Sequence, residues 1–226
     1  MRPLTDHTPK PLLPVRGTTV VELLVGQLLA HGADVSVVVG HEAARVSGAI
    51  RASFGEEVKI VENMCYEQDV NILSLTLALG EDDSAFTVFE ADCLFDDASM
   101  QAIWAPDLTA YSSWFTIGDF RPPQVGGILK AGDDGWVKEV KIVKEYQNCY
   151  HDYRKLIGVL KVGPREAPEF VRLLRLAVAA NTKQYYLMPW IENIERLPCR
   201  ETDLRAYRNG AFNSPEEYLD IVNLFR

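Results

Sequence analysis

Cysteine is scarce in this chain of 226 residues: Cys65, Cys93, Cys149 and Cys199 stand far apart, with no CxxC pair. Clustered ligands are what a structural zinc site or a disulfide framework needs, so neither is expected, and reduced thiols are the simpler reading. Long apolar runs are also missing. The β-branched run within residues 35–40 is among the longest and is too short to span a bilayer. The start, Met1-Arg2-Pro3-Leu4-Thr5-Asp6, lacks the apolar core of a signal peptide. These absences predict a cytoplasmic protein with no membrane partner. Positive charge is in deficit, 23 Lys+Arg against 32 Asp+Glu, for a formal net charge of −9. Nucleic-acid backbones are held by basic patches, so no nucleic-acid partner is expected. GxSxG, HExxH, P-loop and GxGxxG patterns do not occur, which disfavours serine hydrolases, zincins, P-loop NTPases and ordinary dinucleotide-binding domains. His7, His31, His41 and His151 show no metal spacing.

What is there is ordinary globular composition, 47% apolar and 24% charged, in a chain long enough to bury a core without staples. No repeat or low-complexity segment divides it, so residues 1–226 are expected to form a single domain. Residues 1–16 carry Pro3, Pro9, Pro11 and Pro14 and read as an ordered loop. Val20, Val21, Leu23, Leu24, Leu28 and Leu29 then recur at helical spacing up to His31-Gly32. A strand at 35–39, a helix at 42–54, a strand at 58–61, a helix at 71–79 and a strand at 86–90 follow, an alternation that predicts parallel strands with crossover helices. Beyond residue 104 the pattern turns to strands at 111–117, 127–129, 136–143 and 156–162, broken by turns such as Gly132-Asp133-Asp134-Gly135. Helices are predicted at 168–180 and from Pro215, where Ser214 is a plausible cap. The whole is α/β: a parallel half followed by a mixed half.

Three stretches could carry chemistry. Prolines on both sides of Lys10 pin its backbone, which suits a cation that holds an anionic ligand, although a solvated surface lysine is the commoner case. Glu90 and Asp92 close an apolar strand; acids at the carboxyl end of such a strand can hold Mg2+, or Asp92 can simply cap the next loop. Asn63 follows a strand and Asn71 begins a helix, where capping is the ordinary role and reading a base edge is the functional one.

Taken together these residues resemble the nucleotidylyltransferase family, with its glycosyltransferase-A-like (Rossmann-like) fold. The match runs through Arg2-Pro3-Leu4-Thr5, residues 9–15, Val37-Val38-Val39-Gly40, Glu62-Asn63…Tyr66…Asn71-Ile72…Ser74-Leu75, Ala91-Asp92 and Asn213-Ser214-Pro215-Glu216-Glu217-Tyr218, in the family's order. The resemblance implies a mixed, mostly parallel central sheet flanked by helices. Within the family it is strongest to the phosphocholine cytidylyltransferases and their phosphonate-activating relatives. It implies transfer of CMP from CTP to a small phosphonate or phosphate monoester, with release of pyrophosphate and with Mg2+ as cofactor. It assigns phosphate contact to Lys10, and the metal to Asp92 with Asn213. Arg2, Asn63, Asn71, Ser74 and Glu90 would join Lys10 at the nucleotide, and Tyr185, Trp190 and Glu192 would face the acceptor. A quaternary ammonium calls for an aromatic cage, for which Tyr185, Tyr186 and Trp190 are candidates. Core packing is their other reading, because Leu187, Met188 and Ile191 are interleaved.

Two departures from the family pattern stand out. The family opens with a strand and a glycine-rich loop ending in an arginine, and this chain begins at what corresponds to the next residue. Where the family places a second metal carboxylate, this chain has Ala211 and Asn213. These departures leave two alternatives beside the cytidylyltransferase: a sugar-1-phosphate nucleotidylyltransferase and a catalytically degenerate nucleotide-binding domain. Fusion to a second catalytic domain is a further expectation, since phosphonate-activating relatives can be fused in that way.

Overall fold

The computed structural model describes residues 1–105 and 110–225. The proline-rich start folds as turns, with one 3-10 turn at Lys10–Leu12 between Pro9 and Pro14. A short antiparallel ribbon, β1 (Pro14–Val15) with β2 (Thr18–Thr19), leads into α1 (Val20–Ala30). Thr19 and Glu22 start that helix as a reciprocal capping box, each side chain accepting the other's backbone N–H. β3 (Val35–Val39) then pairs in parallel with β4 (Val58–Glu62), and α2 (Ala43–Phe54) makes the crossover.

Next come α3 (Ile72–Leu79), β5 (Phe86–Phe89), β6 (Cys93–Phe95) and α4 (Asp97–Ile103). The second half contributes β7 (Ser112–Asp119), β8 (Gly126–Ala131), β9 (Val137–Val143) and β10 (Arg154–Val162). After them come α5 (Ala167–Ala180), α6 (Met188–Ile191), β11 (Cys199–Asp203), β12 (Asn209–Ala211) and α7 (Pro215–Leu224). β10 is the longest of these strands and serves several partners. Its first residues pair with β8, its last four pair with β5, and β7 lies along it.

The main sheet therefore runs β11-β7-β10-β8-β9, with β5 also on β10, and β3–β4 stands as a sheet of its own. The sheet is mixed and flanked by helices, as the resemblance implied, but it is not mostly parallel. Among the described residues only β3–β4 and β7–β11 pair in parallel, because β8 and β9 close as a hairpin and β10 returns antiparallel to each of its neighbours. β5 was expected as a third parallel strand, and it pairs antiparallel with β10 instead.

Successive residues of a strand point to opposite faces, and this alternation splits the core in two. Phe115 and Ile157 pack with Val25, Leu28 and Ile50 on the α1/α2 face. Their neighbours Trp114 and Leu156 pack with Phe170, Leu174 and Trp190 on the α5 face. All four cysteines are free thiols. No helix among the described residues is long and apolar enough to cross a membrane.

Candidate active site

The antiparallel pairing of β12 with β6 sets Ala211 opposite Cys93, and so draws the residues just outside those strands together. Asp92, which precedes β6, and Asn213, which follows β12, both reach the same cation. The Lys10 ammonium donates to Asp92 Oδ2 at 2.5 Å and to Asn213 Oδ1 at 3.0 Å. It also lies 5.0 Å from the centre of the fully buried Phe212 ring. The 3-10 turn between prolines holds Lys10 at this point. Both side chains of the ion pair remain about a quarter or less exposed, at 25% and 21%, which leaves a path for a ligand. Glu217 fixes Asn213 from behind: its carboxylate accepts the Asn213 N–H at 2.6 Å and completes the cap of α7 with Ser214.

Beneath this group lies a second, more enclosed one. Burial, together with the charge of Asp92, raises the Glu90 carboxyl above its ordinary value, and the Lys155 ammonium partly opposes that rise. Burial lowers Lys155 in turn, and pushes the Tyr186 phenol beside Glu90 well up. Gly158 makes room for Glu90: its φ is +68°, and a Cβ there would sit 2.7 Å from Glu90 Oε2. The folded state therefore holds the Glu90 proton more tightly than the unfolded chain does. The stability this contributes is fully present below the ordinary glutamate value of 4.5 and is lost as pH rises through the raised one. Glu90→Gln keeps the shape without the ionisation. Its melting temperature relative to the parent should rise as pH is taken from 4 to 7, measured by thermal scans on both proteins. A constant difference across that range would contradict the assignment.

The asparagine-rich stretch folds as a knot around Asp69. Asp69 Oδ1 accepts the Leu73 N–H at 3.0 Å, and Oδ2 accepts the Ser74 N–H and hydroxyl, each at 2.8 Å. Asp69, not Asn71, caps α3. Asn63 is 1% exposed and spends its amide inside the knot, donating to Asp69 and Ser74 and accepting the Cys65 N–H. It holds the loop and has no amide group left for a base edge. Asn71 Oδ1 accepts the Tyr186 N–H at 2.8 Å, which ties the start of α3 to the aromatic stretch.

One cleft of about 1110 Å3 joins these groups, lined by Lys10, Asn71, Ser74, Glu90, Asp92 and Tyr185 among others. Of the expected site residues, Asn63, Asn213, Arg2, Trp190 and Glu192 are not part of the cleft lining. Arg2 is a surface side chain, 90% exposed and paired with Asp6. Trp190 is fully buried against Trp114 and Phe170, so its core reading is the one realised and the aromatic cage is not built. Glu192 is exposed and is not part of the cleft wall. Lys155 escaped sequence reasoning, because only the pairing of β10 with β5 brings it near Glu90.

The donor set suits a hard divalent cation. Asp92 and Asn213 offer one carboxylate and one amide oxygen, and Mg2+ is commonly held by one or two carboxylates with the remaining positions taken by water and substrate phosphates. No cluster of three or more His, Cys, Asp or Glu side chains that could cage a metal occurs among the described residues. Cys93 is no ligand candidate: its thiol is buried, donates to Ile157 O at 3.0 Å and is pushed well above its usual range.

The fold has known counterparts. No family model matches the chain. The 2-aminoethylphosphonate cytidylyltransferase of Lancefieldella rimae is 35% identical over 103 residues, 43% of this chain and 39% of that protein. The chain thus spans about two-fifths of the curated relative it matches. The CTP:phosphocholine cytidylyltransferase LicC of Streptococcus pneumoniae superposes with a TM-score of 0.82 at 22% identity, over 100% of this chain and 93% of that one. The inositol-1-phosphate CTP transferase of T. maritima gives 0.77 at 14% identity, over 100% and 90%. The chain has the nucleotidylyltransferase fold.

Proposed function

We propose that this chain, built on the nucleotidylyltransferase fold, is a cytoplasmic cytidylyltransferase that moves CMP from CTP to a small phosphonate or phosphate monoester. One observation carries the reading: the oxygens of Asp92 and Asn213, distant in sequence, converge on a single cation position at the mouth of the cleft. Mg2+ held by those oxygens would neutralise charge on the triphosphate. Lys10, released from Asp92 by such a cation, would be free to contact phosphate oxygens. Its ammonium then stabilises the charge that builds as the bond breaks.

In the reaction an acceptor oxygen forms a bond to the α-phosphorus, the bond from that phosphorus to the β-bridging oxygen breaks, and pyrophosphate leaves. The acceptor is already anionic near neutral pH, so no general base is required. Positioning and charge neutralisation are the whole task. Asn71, Ser74, Tyr185 and Tyr186 all line the cleft, with the Tyr186 N–H bonded to Asn71, and would serve the nucleoside and the acceptor. Four free thiols fit a reducing compartment.

A phosphonate is the favoured acceptor. With Trp190 in the core and Glu192 outside the cleft, those two residues build no cage for a quaternary ammonium, whereas an amine or hydroxyl tail needs only hydrogen bonds. Similarity to a protein named for 2-aminoethylphosphonate supports this choice. The test is pyrophosphate release with CTP, UTP or dTTP against 2-aminoethylphosphonate, 2-hydroxyethylphosphonate, phosphocholine and glucose-1-phosphate. The expected result is CTP with a phosphonate preferred by about tenfold or more in kcat/KM. Preference for glucose-1-phosphate would replace the reading by a sugar-phosphate transferase. CTP binding without pyrophosphate release would replace it by a binding domain.

A further inference from the structure

Lys155, near the start of β10, carries an ammonium that the fold encloses without giving it a counter-ion. Its Nζ donates to Leu156 O at 2.9 Å and to Gly127 O at 3.4 Å, and among the described residues it makes no ion pair. An ammonium has three N–H donors, so one is left for another acceptor. Burial lowers Lys155, and the charges of Glu90, Cys93 and Asp92 act on it from nearby. Glu90 is not its counter-ion: a carboxyl paired with an ammonium falls below its ordinary value, and the Glu90 carboxyl lies above it. The buried Tyr186 hydroxyl stands beside the same carboxyl without a well-formed hydrogen bond. A cation, a carboxyl and a hydroxyl thus adjoin the cleft with bonding capacity unspent.

The surroundings keep that ammonium reachable. β8 begins with Gly126 and Gly127, which have no side chains to cover it. Gly126 has φ +95°, and a Cβ there would stand 3.6 Å from Lys155 Nζ. Lys155 stays partly exposed, and both Glu90 and Asp92 line the cleft. Holding an ammonium among carbonyls alone costs more than pairing it, so an unmatched cation beside a polar cleft suits an anionic ligand.

The reaction proposed for this chain brings two anions together. A phosphonate or phosphate monoester carries about two negative charges near neutral pH, and it must approach a triphosphate that carries more. Each anion needs its own positive charge, because repulsion between them opposes the approach. Lys10 is bonded to Asp92 and Asn213 and so belongs to the cation position between those oxygens. Lys155 is bonded to neither and is available to the second anion. Resting on that reading of the reaction, we propose that the Lys155 ammonium binds the phosphonate or phosphate group of the acceptor and offsets its charge as it meets the triphosphate.

The test uses two variants. Lys155→Met keeps the length of the side chain and removes its charge. Lys155→Gln removes the charge but keeps a donor for the neighbouring carbonyls, and it serves if the first does not fold. In steady-state assays with CTP and 2-aminoethylphosphonate, the folded variant should raise KM for the phosphonate at least about tenfold and leave KM for CTP within about twofold. A lysine that only ties β8 to β10 would leave the phosphonate KM unchanged, and that result would overturn the proposal. So would a rise confined to CTP or equal for both substrates, which would place Lys155 at the triphosphate. A second measurement needs no turnover. The phosphorus-31 line of 2-aminoethylphosphonate alone should broaden with the parent protein and stay sharp with the variant. Equal broadening with both, or none with the parent, would contradict the site. Broadening that depends on Lys155 in a parent that releases no pyrophosphate would leave the site standing and remove the assigned reaction, so the two failures are told apart.

Discussion

Asp92→Asn should reduce pyrophosphate release at least about 100-fold, a loss of about 3 kcal/mol of transition-state stabilisation, while leaving the protein folded. Asparagine keeps the size and one oxygen but removes the only charge that Asp92 and Asn213 together offer a divalent cation. Structurally the change is mild. The Lys10–Asp92 pair is partly exposed, and pairs of that kind contribute about 1 kcal/mol or less to stability. Lys10 also keeps Asn213 Oδ1 at 3.0 Å as a partner. Circular dichroism and the melting temperature should therefore stay close to the parent while turnover collapses. A variant that retains turnover would remove the metal from this position. One that unfolds would show Asp92 to be structural.

Trp190→Ala should have the largest effect on stability, a loss of about 3–5 kcal/mol, or a fall of roughly 10 °C in melting temperature. Its indole is fully buried, with ring centres 4.8 Å from Phe170 and 6.0 Å from Trp114, in a core layer that also takes in Leu160 and Cys199. α6 sits between α5 and the main sheet through this side chain, so truncation opens a cavity that backbone movement cannot readily close. The more conservative Trp190→Phe separates packing from recognition. It should recover most of the stability and leave the KM for every acceptor unchanged. A specific rise in KM for phosphocholine would instead place the ring in the acceptor site.

Local pattern made much of this fold readable before any coordinates. The β-branched run of β3, the capping signal at Ser214 and the apolar stripe of α1 each follow from interactions within a few residues of one another. Pairing partners do not. Nothing within Phe86–Phe89 distinguishes a parallel neighbour of β3 from an antiparallel neighbour of β10, because that choice is settled across 70 positions of chain. The site shows the same division. Lys10 meets Asp92 and Asn213 over separations of 82 and 203 positions, so no periodicity could relate them, and only resemblance to a family placed them together. Where the resemblance was carried onto single residues it faltered at Asn63, Arg2 and Trp190. In each of these a local partner takes up the side chain: the Asp69 knot, the Asp6 carboxylate and the Phe170 ring. Lys155 and Asp69 went unseen because their importance lies in what packs against them.

Phosphorus-31 NMR of the protein with CTP, Mg2+ and 2-aminoethylphosphonate tests the central claim most directly. The account predicts that the phosphonate resonance is lost in step with the growth of pyrophosphate and of a coupled pair of signals from the new phosphonate–phosphate anhydride. All of these should be absent from the Asp92→Asn sample. A spectrum in which CTP persists unchanged, or in which it decays to nucleotide and phosphate while the phosphonate signal stays constant, would contradict it.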